Sequence, residues 1–440
     1  MTDHSRRRSV LQAFATLFRS SMVRSIGSLL GFAATFLVTA SLGAADAGVL
    51  YGSITWVAGL AILARWGVID RILVELPPMA AGWRHRAVAA IVNRDLRNSL
   101  IRIIVLLGIV ACLWGVAIFA QKPLALSLPL LIGLFPATVI LQILSASAKA
   151  WGRVATALFF EFALIPAVVI IVVLLIAISP MPGSTQIVGI AYLGGTVLAI
   201  WGCYSLLLSD RWHARPAAFR SRRTRIRDRN FGLIEFSNFL NSWLAMLLLP
   251  LLMAADDVGI FNLSLRLAGA IGLISATIYV IVMPGLAVSR AQRNTEEWRT
   301  TLRNAHILMA ALGAGFAIVI FKFGPLILGL AGEEFLEATV PLYILTGCYS
   351  LAVALGPGGG VLSAIGEEAV VRNANIATTV LSLLAMVPAI LQFGLVGAAI
   401  VSGATFLALK GALLFYQLRM TRALEWERAP PGNAAVAQER

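Results

Sequence analysis

The sequence predicts an all-α polytopic membrane protein with about twelve transmembrane helices, and three observations predict it. Of 440 residues, 59% are hydrophobic and 13% are charged, whereas soluble proteins carry about 25% charged residues. The apolar residues fall in runs of about 18 or more, the length that crosses a hydrocarbon core of about 30 Å. Of the 35 Lys and Arg residues, 31 fall in segments that alternating spans place on one face, as the positive-inside rule requires of the cytoplasmic face.

These observations exclude a soluble enzyme, a disordered chain and a fibrous repeat. They also account for the net charge of +14 without a nucleic-acid partner, because the basic residues follow the membrane topology. The spans must be helices, since backbone groups in lipid have to be satisfied within each segment. Both termini are expected in the cytoplasm. The predicted spans are 22–43, 47–67, 99–120, 124–146, 155–179, 185–208, 231–253, 258–285, 304–323, 338–361, 370–391 and 395–418.

This order predicts two six-helix lobes. The N-lobe is 22–208, an Arg-rich cytoplasmic linker is 209–230 and the C-lobe is 231–418, flanked by cytoplasmic segments 1–21 and 419–440. The N-terminus has no short apolar region with a cleavage site, so the first span is expected to remain as an anchor. The longest outer-face loop, 321–337, is too small for an active-site domain.

Cysteine and histidine residues indicate neither a disulfide framework nor a metal site. The cysteines are three and lie in apolar runs, and the four histidines have no ligand spacing. No cofactor is expected. The residues are Cys112, Cys203, Cys348, His4, His85, His213 and His306.

An internal repeat relates the two lobes. Asp46, Gly48 and Ser53 match Asp257, Gly259 and Ser264 at an offset of 211 residues, and both stretches open the second span of their half. The stretch starting at Val188 matches the stretch starting at Val396 at an offset of 208, at the opening of each sixth span. Because each half has six spans, the halves share one orientation about an axis along the membrane normal.

Charged side chains inside spans are the candidate functional residues, because they are costly in lipid. Arg266 and Lys410 each lie about 13 Å from a span end at about 1.5 Å per residue. Asn262 and Arg266 lie at i and i+4 and share a helix face. Both cations are predicted to face a lumen, although long side chains can also reach towards water. Glu161 is either an ion-coupling carboxylate or a structural partner of a nearby cation.

A second set of candidate functional residues lies on the first span of each lobe. Arg24 and Glu235 are equivalent under the repeat offset, and they are predicted to meet near the cytoplasmic mouth and help to close it. The alternative is that both are interfacial charges among lipid headgroups. Asn238 and Asn241 follow Glu235 on the seventh span as further cavity candidates.

Three further features have both a functional and an ordinary interpretation. Tyr343 and Tyr349 are candidate ligand contacts, but polar residues in spans more often pack helices. The stretch Gly356–Gly360 contains Pro357 and predicts a broken helix, either as a bending point or as a span end. The Arg cluster 220–229 is interpreted as an orientation signal in contact with anionic lipid.

Several short motifs resemble one transporter family. The stretches 40–51 and 65–71, then 257–261 with 282–285, 145–153 with 165–166, and 393–399, are similar to bacterial polysaccharide (O-antigen type) lipid-carrier flippases. These belong to the superfamily of multidrug, oligosaccharidyl-lipid and polysaccharide exporters (MOP). The resemblance implies movement of undecaprenyl-diphosphate-linked oligosaccharide across the bacterial inner membrane for surface polysaccharide such as lipopolysaccharide or exopolysaccharide. It further implies membrane lipids, a polysaccharide polymerase and chain-length machinery as partners.

With such a cargo, Arg24, Arg266 and Lys410 would bind the diphosphate through charge-assisted hydrogen bonds. Asn238, Asn241, Asn262 and the two tyrosines would contact sugars. Two other functions remain open. A drug or cation antiporter of the same superfamily needs cavity carboxylates, whereas the deep charges are mainly cations. A membrane glycosyltransferase or polymerase needs a sizeable outer loop, which the sequence lacks.

Overall fold

A computed structural model describes residues 3–81, 85–119, 124–179, 184–208, 222–273 and 294–423, with scattered positions between 274 and 293. Throughout these ranges the regular secondary structure is helical. Nine of the described helices are long and apolar enough to cross a membrane. The protein is therefore an all-helical, multi-pass membrane protein, as predicted.

The helices of the first half cover most of its described length. Their order follows the predicted spans, with a short additional helix α2 after the second span. The helices are α1 (Asp3–Arg65), α2 (Val68–Ala81), α3 (His85–Phe119), α4 (Leu128–Ala150), α5 (Val154–Leu158), a π-helix (Phe159–Leu164), α6 (Ile165–Ile178) and α7 (Thr185–Leu208).

The second half repeats this plan. Its helices are α8 (Arg222–Leu252), α9 (Ala255–Gly269), α10 (Thr295–Ala331), a 3-10 helix (Glu333–Ala338), α11 (Thr339–Ala354), α12 (Gly358–Ala364) and α13 (Glu368–Ala423). The eighth predicted span begins as α9, and the structure describes only part of the remainder of that span.

Two of the nine long helices are each interrupted by one glycine. In α1, Gly43 has φ 78°, and the Tyr51 hydroxyl on one side contacts the Thr35 carbonyl oxygen on the other at 3.5 Å. In α13, Gly394 has φ 57°. These φ values are accessible mainly to glycine. Each glycine therefore divides a long helix at the place where the sequence predicts a boundary between two spans.

One predicted loop is wrong, and one predicted linker is partly helical. The outer loop predicted at 321–337 is mostly helical, because α10 continues to Ala331 and the 3-10 helix follows at once. The Arg-rich linker predicted at 209–230 is helical from Arg222 onward, and its positions 209–221 lie outside the described residues. Both helical extensions arise because hydropathy marks where a helix leaves the lipid, not where the helix ends.

The break predicted at Gly356 is present. Helix α11 ends at Ala354, Gly356 has φ 84°, and α12 starts at Gly358 after Pro357. The Gly356 backbone packs directly on the His306 ring of α10, because a methyl group built on Gly356 would lie 2.4 Å from that ring. The break is therefore a packed feature inside the tenth predicted span.

Candidate functional site: the seam between the two halves

The two halves meet along a seam formed by residues 44–66 of α1 against α8 and α9, and its tightest point joins the two repeat anchors. A methyl group built on Gly48 would lie 1.8 Å from the carbonyl oxygen of Ala255. One built on Gly259 would lie 2.0 Å from the carbonyl oxygen of Ala44. Since 44 and 48 are related to 255 and 259 by the 211-residue offset, the crossing is pseudo-symmetric. Only glycine allows the two backbones to approach this closely.

A second pair of contacts obeys the same offset. The backbone N–H of Ser127 donates to the Ser53 hydroxyl at 2.7 Å, and the Ser264 hydroxyl donates to the Ala338 carbonyl at 3.3 Å. Ser264 lies 211 residues after Ser53, and Ala338 lies 211 residues after Ser127. The serine of each anchor therefore ties the second predicted span of its half to the residues that directly precede the fourth predicted span.

Polar contacts also join the halves at the Gly43 end of the seam. The N–H of Ala44, freed by the break at Gly43, donates to Glu334 Oε1 at 2.7 Å. Further along, the Trp56 indole N–H donates to the Leu247 carbonyl at 3.0 Å. The first bond satisfies a backbone N–H at the helix break, and both bonds fix the register of α1 against the second half.

Arg266 lies at the centre of the seam and does not face outward. Its guanidinium carbon is 5.0 Å from the ring centre of Trp243 on α8 and 5.9 Å from that of Tyr51 on α1. Tyr192 of α7 lies close enough to interact electrostatically with it. Aromatic faces attract a cation, and Arg stacks on them well. The buried Arg266 Nε has no hydrogen-bond partner among the described residues.

Asn262 lies one turn from Arg266 on the same face of α9. Its exposed fraction is 0%, and neither side-chain amide atom has a hydrogen-bond partner in the described chain. Buried polar atoms are satisfied in the large majority of cases. The sequence placed both residues on one face, and the structure adds that this face is the seam.

The predicted contact between Arg24 and Glu235 is not the one that this structure contains. Glu235 forms an ion pair with Arg65, whose Nη1 donates to Glu235 Oε2 at 2.7 Å. Arg24 instead has its guanidinium carbon 5.8 Å from the ring centre of Phe162. Glu235 does join the two halves, but through the end of the second span. A gating role for Arg24 stays a prediction.

Glu161 lies in the π-helix, where it forms an ion pair with Lys149 of α4. Its Oε2 also accepts a hydrogen bond from the Ser145 hydroxyl at 2.7 Å. Both charged side chains are mostly buried, and Arg24 and Lys149 share the neighbouring Phe162 ring. The structure therefore contains the pairing alternative, whereas ion coupling through Glu161 stays a prediction.

Asn241 is not free to line a cavity in this structure. Its amide nitrogen donates to the Asn375 carbonyl at 3.2 Å, and its amide oxygen accepts from the Thr379 hydroxyl at 3.0 Å. These bonds hold α8 against α13, so Asn241 packs helices within the C-terminal half. Asn238, three residues earlier, has an exposed side chain.

The remaining candidates lie apart from Arg266. The Lys410 ammonium is 5.6 Å from the centre of the Phe406 ring, which packs against Tyr349 with 4.9 Å between ring centres. The Tyr343 hydroxyl donates to the Phe321 carbonyl at 3.0 Å. Both tyrosines pack helices here, and none of these contacts brings Lys410 to the seam.

Reasoning from the depth of charges within spans missed one cluster of charged side chains. Arg71 of α2 and Asp95 of α3 form a buried ion pair at 2.8 Å, and the nearby Asp70 lies within the electrostatic reach of Arg65. Burial raises the pKa of Asp70, and the charge of Arg65 opposes this rise. These residues flank the second span, so no burial was expected of them. Of the three, Asp70 lies within electrostatic reach of the Arg65–Glu235 bridge.

Comparison with known structures finds the same architecture in membrane transporters. A "multidrug resistance MATE family transporter of the MOP superfamily", in its inward-facing conformation, superposes with a TM-score of 0.68 at 16% identity, covering 93% of this chain and 100% of that chain. The chain therefore has the same fold as this transporter. "Lipid II flippase MurJ" in an inward closed conformation superposes with a TM-score of 0.67 at 13% identity, covering 90% and 87%.

No family model matches the chain. In sequence, it is 22% identical over 220 residues to "Probable low-salt glycan biosynthesis flippase Agl15" of Haloferax volcanii. That match spans 48% of this chain and 45% of the relative. The descriptions of all three proteins name transporters or flippases, the class of protein that the sequence motifs resemble.

Proposed function

We propose that the protein moves a polyprenyl-diphosphate-linked oligosaccharide between membrane leaflets by alternating access of its two halves. The observation that carries this proposal is Arg266. A guanidinium at the centre of the seam keeps hydrogen-bonding capacity at Nε and is bordered by residues of both halves. A diphosphate is an anion that arginine binds with strong, charge-assisted hydrogen bonds. The polyprenyl chain stays in lipid while the headgroup crosses.

Two further observations support an anionic, glycan-bearing cargo. The sequence relative and one of the two structural matches are both described as flippases. Of the other charged groups along the seam, Arg65 and Glu235 neutralise each other and Glu334 accepts a hydrogen bond at the Gly43 end, which leaves Arg266 at the centre. The net charge at its centre is therefore positive, as a diphosphate requires.

The drug or cation antiporter is the second candidate, favoured by the MATE match. That function needs a carboxylate that can take up a proton or a cation. The deep carboxylate Glu161 is instead bound by Lys149 and Ser145. An ion pair of this kind lowers the affinity of the carboxylate for a second cation, so the first candidate is the better supported.

The proposal extends to the cellular setting. The protein acts in the bacterial inner membrane with both termini in the cytoplasm, and it delivers cargo to a polysaccharide polymerase and its chain-length machinery. Lys410 and Arg24 line the path away from the seam centre. Membrane lipids contact the exposed apolar surface, which includes Ile104, Val116 and Leu384.

Deletion followed by complementation tests the proposal. Loss of the gene should cause lipid-linked glycan to accumulate on the inner leaflet. Arg266→Ala should fail to restore export at normal protein levels, whereas Lys322→Ala should restore it. Lys322 is a matched control because it is also a cation beside an aromatic ring, 5.5 Å from the centre of Phe323, but lies on α10 away from the seam. Full export with Arg266→Ala would contradict the proposed site.

A further inference from the structure

Asn262 is a buried amide without a hydrogen-bond partner among the described residues, and its packing does not explain why the side chain is polar. Both polar atoms of the side chain lack a hydrogen-bond partner in the described chain, at 0% exposure. Leaving such a group unsatisfied destabilises a protein, whereas an apolar residue of the same size does not. The neighbours of Asn262 on α9, Phe261 and Leu263, are apolar and fully buried. Packing alone would favour leucine here.

The second observation is the neighbour of Asn262 on the same helix face. Arg266 lies four residues further along, about 6 Å away at about 1.5 Å per residue, and its Nε also lacks a partner in the described chain. Two unsatisfied polar groups therefore point along one face into the same seam. That spacing is similar to the length of one pyranose ring.

The repeat shows that this arrangement is specific to one half. The position equivalent to Asn262 under the 211-residue offset is Tyr51, and Tyr51 packs its ring beside Arg266. The pseudo-symmetric crossing therefore places a carboxamide on one side of the axis and an aromatic face on the other. Aromatic faces pack against the C–H surface of a ring, and a carboxamide both donates and accepts hydrogen bonds.

We infer that Asn262 is a specificity-determining residue that binds a hydroxyl or acetamido group of the sugar attached to the diphosphate. This inference rests on the proposed function, in which Arg266 binds the diphosphate. Asn262 is neutral, so it adds little to phosphate binding, and it is polar, so it adds nothing for the lipid chain. A group that donates and accepts at once matches both amide atoms. Binding occurs when the halves separate at the seam, because Asn262 is enclosed while they are closed.

Binding to the purified full-length protein tests the role of Asn262 separately from the proposed function. The probes are polyprenyl diphosphate alone and the same lipid carrying a single N-acetylglucosamine or glucose. Wild-type protein should bind the better sugar-bearing probe roughly 5- to 10-fold more tightly than the bare lipid, the contribution of about one hydrogen bond. Asn262→Leu should reduce this advantage to within about 2-fold while leaving the affinity for the bare lipid unchanged. Arg266→Ala should lose all three probes.

The sugar that loses its tighter binding in Asn262→Leu identifies the chemical group that Asn262 binds. Loss for N-acetylglucosamine alone indicates an acetamido group, and loss for both sugars indicates a hydroxyl. An advantage that persists in Asn262→Leu would overturn the inference and leave the proposed function intact. Wild-type protein that binds none of the probes would overturn both.

Thermal stability provides an independent readout and a control. Asn262→Leu should raise the melting temperature, because it removes an unsatisfied buried amide, and should lose sugar discrimination at the same time. Thr346→Val on α11 removes another fully buried side-chain oxygen without a partner in the described chain, and it should leave discrimination unchanged. Asn262→Ala repeats the binding ratio in case leucine does not fit. A stabilised Asn262→Leu protein with wild-type discrimination would show that the amide has no role in binding.

Discussion

Substituting Gly48 with alanine tests the tightest contact of the seam. The added methyl group would lie 1.8 Å from the carbonyl oxygen of Ala255, and side-chain contacts under 3.0 Å are essentially never found. The α1 and α9 backbones would therefore have to separate by at least about 1.2 Å. Overpacking of this kind destabilises a protein by about 1–3 kcal/mol. We expect a melting temperature several degrees below that of the wild type.

Thermal unfolding of purified protein in detergent measures this effect, and two variants sharpen it. Gly259→Ala should match Gly48→Ala, because its methyl group meets the Ala44 carbonyl oxygen at 2.0 Å across the same crossing. The double variant should cost less than the sum, since the first methyl group already separates the helices. Gly411→Ala in α13 is the control. Nothing lies within 4 Å of its methyl group, and alanine favours the helix by about 0.5–1 kcal/mol. A Gly48→Ala protein that melts at or above the Gly411→Ala protein would refute the reasoning.

Three further predictions concern charged and polar contacts. Reversing the charge of either Arg65 or Glu235 should impair transport, and reversing both charges should restore it, because the ion pair joins the halves. Export in cells measures this effect, and absence of rescue would count against the bridge. Asn241→Ala should lower stability by about 1 kcal/mol but leave transport per folded molecule unchanged, since its bonds only join α8 to α13; reduced transport at equal folded amount would contradict this. Burial raises the pKa of Asp70, so its charged form is disfavoured in the folded state and stability falls as pH rises from the ordinary carboxyl pKa through the raised one. Asp70→Asn should therefore raise the melting temperature at pH 7 and lose this advantage in acid, and an equal gain at all pH values would argue against it.

Hydropathy predicted the order of the helices well, because lipid forces every spanning segment to satisfy its own backbone. The glycines at positions 43 and 394 show what hydropathy cannot resolve. The apolar run ends near each glycine, but whether the helix stops, turns or continues depends on one backbone conformation. The error at 321–337 has the same origin, since α10 extends beyond its apolar stretch.

The candidate site was predicted in part. The depth of Arg266 and its shared face with Asn262 follow from helical spacing, and the structure places that face at the seam. Glu235 was assigned to the wrong partner because repeat-equivalent positions meet only near the pseudo-symmetry axis. Gly48 and Gly259 meet across that axis, whereas Arg24 lies against Phe162 of its own half. Glu235 pairs with whichever cation lies on the helix that crosses α8, and that cation is Arg65, 170 residues away in sequence.

Composition, hydropathy and charge asymmetry by themselves determined that this is a helical membrane protein, because they report the solvent that each segment must face. The 211-residue repeat added that the chain has two related halves. The partners of the polar side chains were decided only by the tertiary structure. A side chain at a given depth can face lipid, its own half or the opposite half, and a rotation of the helix by a fraction of a turn separates these outcomes. The packing of distant helices sets that rotation, which is why Asn241 binds α13 while Asn262 and Arg266 face the seam.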